Sequence, residues 1–156
     1  MKPKLYIETT IVSYLAASRS RDIVVAGHQQ ITREWWEGRD RFDLFVSQAV
    51  VEEAGRGDRT VAARRASLLR GIPVLELGEE VHELASGILL ARAVPAKAVV
   101  DALHIAVAAV NRVDYLLTWN CTHIANAAVR GKIEQACRDA GLQSPVICTP
   151  EELMET

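Results

Sequence analysis

The chain has 156 residues, 49% hydrophobic and 24% charged, with a formal net charge of −2. That is the profile of an ordinary globule, read as one domain over residues 1–156 and long enough to bury a core. It excludes a global basic field, so any contact with nucleic acid has to come from a local patch.

In chain order, strands and helices alternate. Residues 4–7 predict a strand and 10–17 a helix. Ser20, Arg21 and Asp22 open a helix through Trp36, whose apolar set Ile23, Ala26, Ile31 and Trp35 is near helical spacing. A short strand follows at 42–46, then helices at 48–55 and 59–70 separated by Gly57 and Asp58. Gly71 closes the second of these, and 73–77 is the third strand. Helices at 79–93 and 97–111 lead to a strand at 113–117. A helix over 124–140, weakened at Gly131 and ended by Gly141, precedes an edge-like strand at 145–148. Strands separated by helices imply right-handed crossovers and a mainly parallel sheet of about five strands, the α/β class. In such a sheet ligands bind beyond the carboxyl ends of the strands, where strand order reverses.

The cations are 14 Arg and 4 Lys, and Arg is the better bidentate partner for phosphate. Cys121, Cys137 and Cys148 are odd in number and lack metal-ligand spacing, so they read as reduced thiols. With no signal-peptide pattern, this points to the cytoplasm. The apolar run 98–110 is broken by Asp101 and His104 and is too short to span a bilayer, so no membrane contact is expected.

Four strings fall where strands would end: YIETT at 6–10, VVEEAGRGD at 50–58, VVDALHIAVA at 99–108 and LLTWNCTH at 116–123. Three carry an acid in apolar surroundings and the fourth carries Asn120. Carboxylates repel one another and are costly to desolvate, so acids gathered from distant segments commonly hold a cation. A metal-dependent site is therefore the leading reading. Glu8 follows the apolar Leu5, Tyr6 and Ile7, with Thr9 and Thr10 able to cap the next helix or hold it. Asp101 lies in a helix with no evident solvent face, where a lone carboxylate needs a partner. Of Glu52 and Glu53, adjacent in the chain, at most one points inward. Asn120 can offer a carbonyl oxygen but no charge, and Thr118 can orient a ligand or end its strand.

Other polar groups have plain readings beside the functional ones. His104 reads as a core histidine bonded to a backbone carbonyl rather than a catalytic base. His123 and Asn126 can touch phosphate or serve a loop. Arg56, Arg59, Arg64, Arg65 and Arg70 form either an RNA-tracking stretch or a solvated face. Trp35 and Trp36 cannot share one buried helix face, so one of them is expected at a dimer or partner surface.

The order YIETT, VSQAVVEEAGRG, DALHIAVA, LLTWNCTHIAN resembles the PIN domain, and within it the VapC-type toxins. The similarity covers nearly the whole chain. Glu8 takes the place of the first Asp. Ser47, Glu53 and Gly57 match the second motif, which selects Glu53 over Glu52. Asp101 matches the third motif, and Thr118 the Thr of the fourth, in which Asn120 replaces an Asp. The resemblance implies a three-layer α/β/α fold and cleavage of RNA phosphodiesters. Mg²⁺ or Mn²⁺ would be held by Glu8, Asp101 and Glu53, with Asn120 in the catalytic set and Thr9 and Thr118 in support. It implies a homodimer and an antitoxin partner as well, while Arg56, Arg59 and His123 are candidate RNA contacts. Three carboxylates give a site charge of at most −3 where the family's four give −4. The competing class is a PIN-like scaffold that binds RNA or protein without catalysis.

Overall fold

The computed structural model describes residues 1–155. Five strands form one sheet in the order β3-β2-β1-β4-β5, every pairing parallel. They are β1 (Lys4–Ile7), β2 (Asp43–Ser47), β3 (Val74–Leu75), β4 (Tyr115–Leu117) and β5 (Val146–Cys148). β1 is central and reads as a continuous apolar run because both its faces are covered; Leu5, Tyr6 and Ile7 have no exposed surface. Its ladder pairs Tyr6 with Phe45 of β2 and with Leu116 of β4.

The helices are α1 (Thr9–Ala16), α2 (Ile23–Glu37), α3 (Gln48–Ala54), α4 (Arg59–Leu69), α5 (Glu79–Leu90), α6 (Val99–Val110) and α7 (Ala127–Asp139). α1 packs with α2, α3 and α4, while α5 packs with α6 and α7. Right-handed crossovers place the first group on one face of the sheet and the second on the other, giving three layers. The chain runs outward from β1 through β2 to β3, then crosses back to place β4 on the other side of β1. The strand order therefore reverses between β1 and β4.

Most elements end short of their sequence estimates. α5 stops at Leu90, where Arg92 takes a positive φ of 54°, rather than at residue 93. α7 begins at Ala127 rather than 124, because the Asn126 side chain accepts from Ala128 N–H and caps it there. Asp22 caps α2 in the same way, accepting from Val25 N–H at 3.0 Å. Of the apolar set on α2, Trp35 is buried and Ile31 packs partly buried against the core, whereas Ile23 is 87% exposed and the polar Gln29 and Thr32 are buried beside Trp35. Gln29 reaches inward because the loop before α2 supplies its partners, Ser18 O and Ser20 N–H. Gly57, at φ +84°, allows the tight turn from α3 into the Asp58 cap of α4.

Trp35 is buried against Phe42. Trp36 is half-buried rather than presented as a bare surface ring. The Arg39 guanidinium lies 4.4 Å over it and also donates to its carbonyl. No helix among the described residues is long and apolar enough to cross a membrane.

Candidate functional site

Glu8 is the first residue beyond β1. Its N–H extends the ladder by donating to Leu117 O at 3.0 Å, so it sits at the reversal point between β1 and β4. It is only 3% exposed. Its Oε1 accepts from Thr10 and, at 2.6 Å, from the fully buried Thr118. Both donors are neutral hydroxyls, so the carboxylate has been desolvated with no charged group bonded to it.

Glu53 arrives from the last turn of α3. Its neighbour Glu52 is exposed, whereas Glu53 turns inward beside the buried Val50 and Ala54. Glu53 Oε1 accepts from Thr9 Oγ1 at 2.6 Å and lies 2.6 Å from His104 Nε2. Burial by itself would raise this carboxyl. The hydrogen bonds from His104 and Thr9, with attraction from Arg56, outweigh it and leave the group below its ordinary value of 4.5.

His104 corrects the sequence reading. It is a core histidine without exposed surface, but its ring bonds to no backbone carbonyl. Nδ1 lies 2.6 Å from the Tyr6 hydroxyl, which lies 2.8 Å from Ser47 Oγ. Burial, the largest influence, holds the Tyr6 phenol far above its ordinary range despite its bond to Ser47. Glu8, Glu53 and His104 each offer an atom such that all three lie within 4.8 Å of one another, a spacing that can hold a metal ion.

Asp101 stands three residues before His104 on α6, outside that trio. Its Oδ1 accepts from Asn120 Nδ2 at 3.2 Å and its Oδ2 lies 2.7 Å from His123 Nδ1. Asn120 is fixed from both ends of its amide, since Oδ1 accepts from His123 N–H at 3.0 Å. Its carbonyl oxygen is thus turned to backbone, not offered to a cation as the sequence reading allowed. A line of contacts runs from Glu8 through Thr118 Oγ1, which accepts from Asn120 N–H, to Asp101.

The basic stretch divides. Arg65 is turned onto the carbonyls of Ala54 and Arg56, and Arg64 onto that of Ala16, so they tie α4 to its neighbours. Arg56 and Arg59 are exposed, and Arg56 stands close enough to lower Glu53. Asn126 caps α7. Among the described residues, no Lys or Arg forms an ion pair with Glu8, Glu53 or Asp101.

Sequence reasoning missed Tyr6 as part of this site, and Ser47 as more than a motif match. One signal was available: a hydroxyl in a fully apolar central strand needs a buried partner. The three cysteines take no part in the carboxylate contacts; Cys121 is exposed and the other two are buried.

No protein-family model and no curated protein matches the sequence. Among solved structures, the fold is similar to the crystal structure of VapC20 from Mycobacterium tuberculosis, described as a Sarcin–Ricin loop cleaving toxin. The TM-score is 0.61, with 15% identity, covering 77% of this chain and 92% of that one. The parallel five-stranded sheet with helices on both faces is a PIN-like α/β fold. At 15% identity the likeness to VapC20 is one of fold.

Proposed function

We propose that the chain is a divalent-metal-dependent endoribonuclease, a single PIN-like domain over residues 1–156 that acts as the toxin of a type II toxin–antitoxin pair. Glu8, Glu53 and Asp101 hold Mg²⁺ or Mn²⁺. The observation that carries this reading is the pair of carboxylates at the reversal point, Glu8 nearly buried, with no Lys or Arg ion-paired to either. Carboxylates brought together away from water need a counter-charge, and hard oxygen donors suit Mg²⁺ or Mn²⁺. When bound, such an ion polarises a phosphodiester and lowers the pKa of water.

The chain's own part is orientation. Thr10 and Thr118 fix Glu8, and Thr9 and His104 fix Glu53, so each carboxylate is aimed before substrate arrives. Asn120 and His123 aim Asp101. The exposed Arg56, close enough to lower Glu53, and the exposed Arg59 that follows it in the chain are the proposed contacts for RNA phosphates, with His123 on the Asp101 side. The proposed partners are RNA, a second copy of the chain and an antitoxin protein, in the cytoplasm.

The test is cleavage of single-stranded RNA with Mn²⁺. Asp101→Asn should abolish cleavage while leaving the fold intact, and EDTA should do the same. Cleavage that survives both would overturn the reading.

One observation favours the alternative of a catalytically weakened scaffold that binds RNA or a protein partner. Both oxygens of Asp101 already have protein partners, one of them the amide that stands where the family has a carboxylate. Under that reading the chain retains RNA or partner binding with no dependence on Mn²⁺.

A further inference from the structure

The spacing of Glu8, Glu53 and His104 would let the imidazole serve as a third metal ligand. Hydrogen-bond accounting starting from Ser47 gives it another role. Ser47 has no exposed surface and caps α3, its Oγ accepting from Ala49 N–H at 3.2 Å. The hydroxyl's other contact among the described residues is the Tyr6 oxygen at 2.8 Å. A buried O–H left without an acceptor is costly, so the Ser47 proton goes to Tyr6. Tyr6 then cannot give its own proton back to Ser47 and donates to His104 Nδ1 at 2.6 Å. Nδ1 is therefore bare, and the ring proton sits on Nε2, facing Glu53 Oε1 at 2.6 Å.

Any arrangement with a proton on Nδ1 leaves one hydroxyl hydrogen, that of Ser47 or that of Tyr6, without an acceptor in the core. A bare Nε2 would also set its lone pair against a carboxylate oxygen. The distance agrees. Two atoms sharing one octahedral cation at about 2.1 Å each lie about 3 Å apart, farther than these two.

We infer that His104 is a positioning residue and not a metal ligand: a one-way chain of protons from Ser47 through Tyr6 fixes it as the donor that holds Glu53. Glu53 Oε1 is then occupied by Thr9 and His104. Its other oxygen is left to face a cation, and the donor set is all oxygen. Such a set gives up the nitrogen ligand that draws Zn²⁺ and Co²⁺. The consequence for the cation rests on the ribonuclease reading above, whereas the proton order does not.

The experiment is ¹⁵N spectroscopy of the imidazoles in the full chain, with His104 assigned by the signal lost in His104→Gln. In the metal-free protein the expected result is a protonated Nε2 and an unprotonated Nδ1. A proton on Nδ1 overturns the inference. On adding ¹¹³Cd²⁺, the expected result is no ¹¹³Cd–¹⁵N coupling to His104, and a coupling overturns it. Tyr6→Phe, which removes the donor to Nδ1 together with the acceptor of the Ser47 proton, should weaken Mn²⁺ binding by about 10-fold. His104→Gln, which keeps an N–H for Glu53, should bind Mn²⁺ more tightly than His104→Ala; equal binding by the two overturns the donor role. If no divalent ion binds at all, the ribonuclease reading falls, and the metal-free spectrum still decides the proton order.

Discussion

Asn120 donates to one carboxylate and accepts from a backbone N–H, so its two functions cannot be exchanged by rotating the amide. Asn120→Asp would replace a donor 3.2 Å from Asp101 with a second carboxylate. Without metal the variant should lose about 1–3 kcal/mol, from the broken bond and the like charge. With Mn²⁺ it should gain more stability than wild type, because a cation held by Asp101 would offset the charge added beside it. Thermal unfolding of both proteins with and without Mn²⁺ checks this, and equal gains would place Asn120 outside any metal site. Glu53 gives a prediction in pH. Its carboxyl is held below its ordinary value of 4.5 by donors that favour the charged form. A depressed carboxyl stabilises the fold above its unfolded value and loses that contribution as pH falls through the folded one. Acid unfolding of wild type should therefore be steeper below pH 4.5 than that of Glu53→Gln. Superimposable pH–stability curves would contradict the assignment.

At the scale of elements, the loop after β4 and the start of α1 are fastened together at the reversal point by threonines. Thr118 donates to Glu8 and accepts from Asn120 N–H, while Thr10 accepts from Trp119 N–H. Thr118→Val keeps the shape and removes both of the Thr118 bonds. It should destabilise by about 1–3 kcal/mol and loosen Glu8, measured by denaturant unfolding and by Mn²⁺ affinity. An unchanged midpoint would show that these threonines do not hold the strand ends. Much of the element pattern was legible in the sequence. β1 and α6 announce themselves as apolar runs because residues 5–7 and 104–109 are buried. The inner face of α2 was not legible. Gln29 and Thr32 are polar, and what makes them core residues lies elsewhere: the loop at Ser18 and Ser20, and the Trp119 indole that donates to Thr32. Element ends were misplaced by two or three residues where a side-chain cap such as Asn126 set the boundary. The acids could be picked out, since each interrupts apolar sequence. The His104 contact could not, because its partner is 51 residues away and is brought to it only by the packing of α3 and α6.

At the scale of the molecule, topology assembles the site. With β4 returned beside β1, Glu8 and Thr118 become neighbours although they are 110 residues apart. α3 leaves β2 on one side of β1 and brings Glu53. α6 enters β4 on the other and brings Asp101 and His104. The fold thus concentrates acid at one point of a chain whose net charge is only −2, with the exposed Arg56 close enough to lower Glu53. The proposed function requires this point to be a divalent-cation centre. The most direct test is calorimetric titration of the metal-free chain with Mn²⁺, beside Glu8→Gln. The expected result is saturable binding in wild type that is weakened at least 10-fold in the variant. No binding in wild type, or equal affinity in the two proteins, would contradict it.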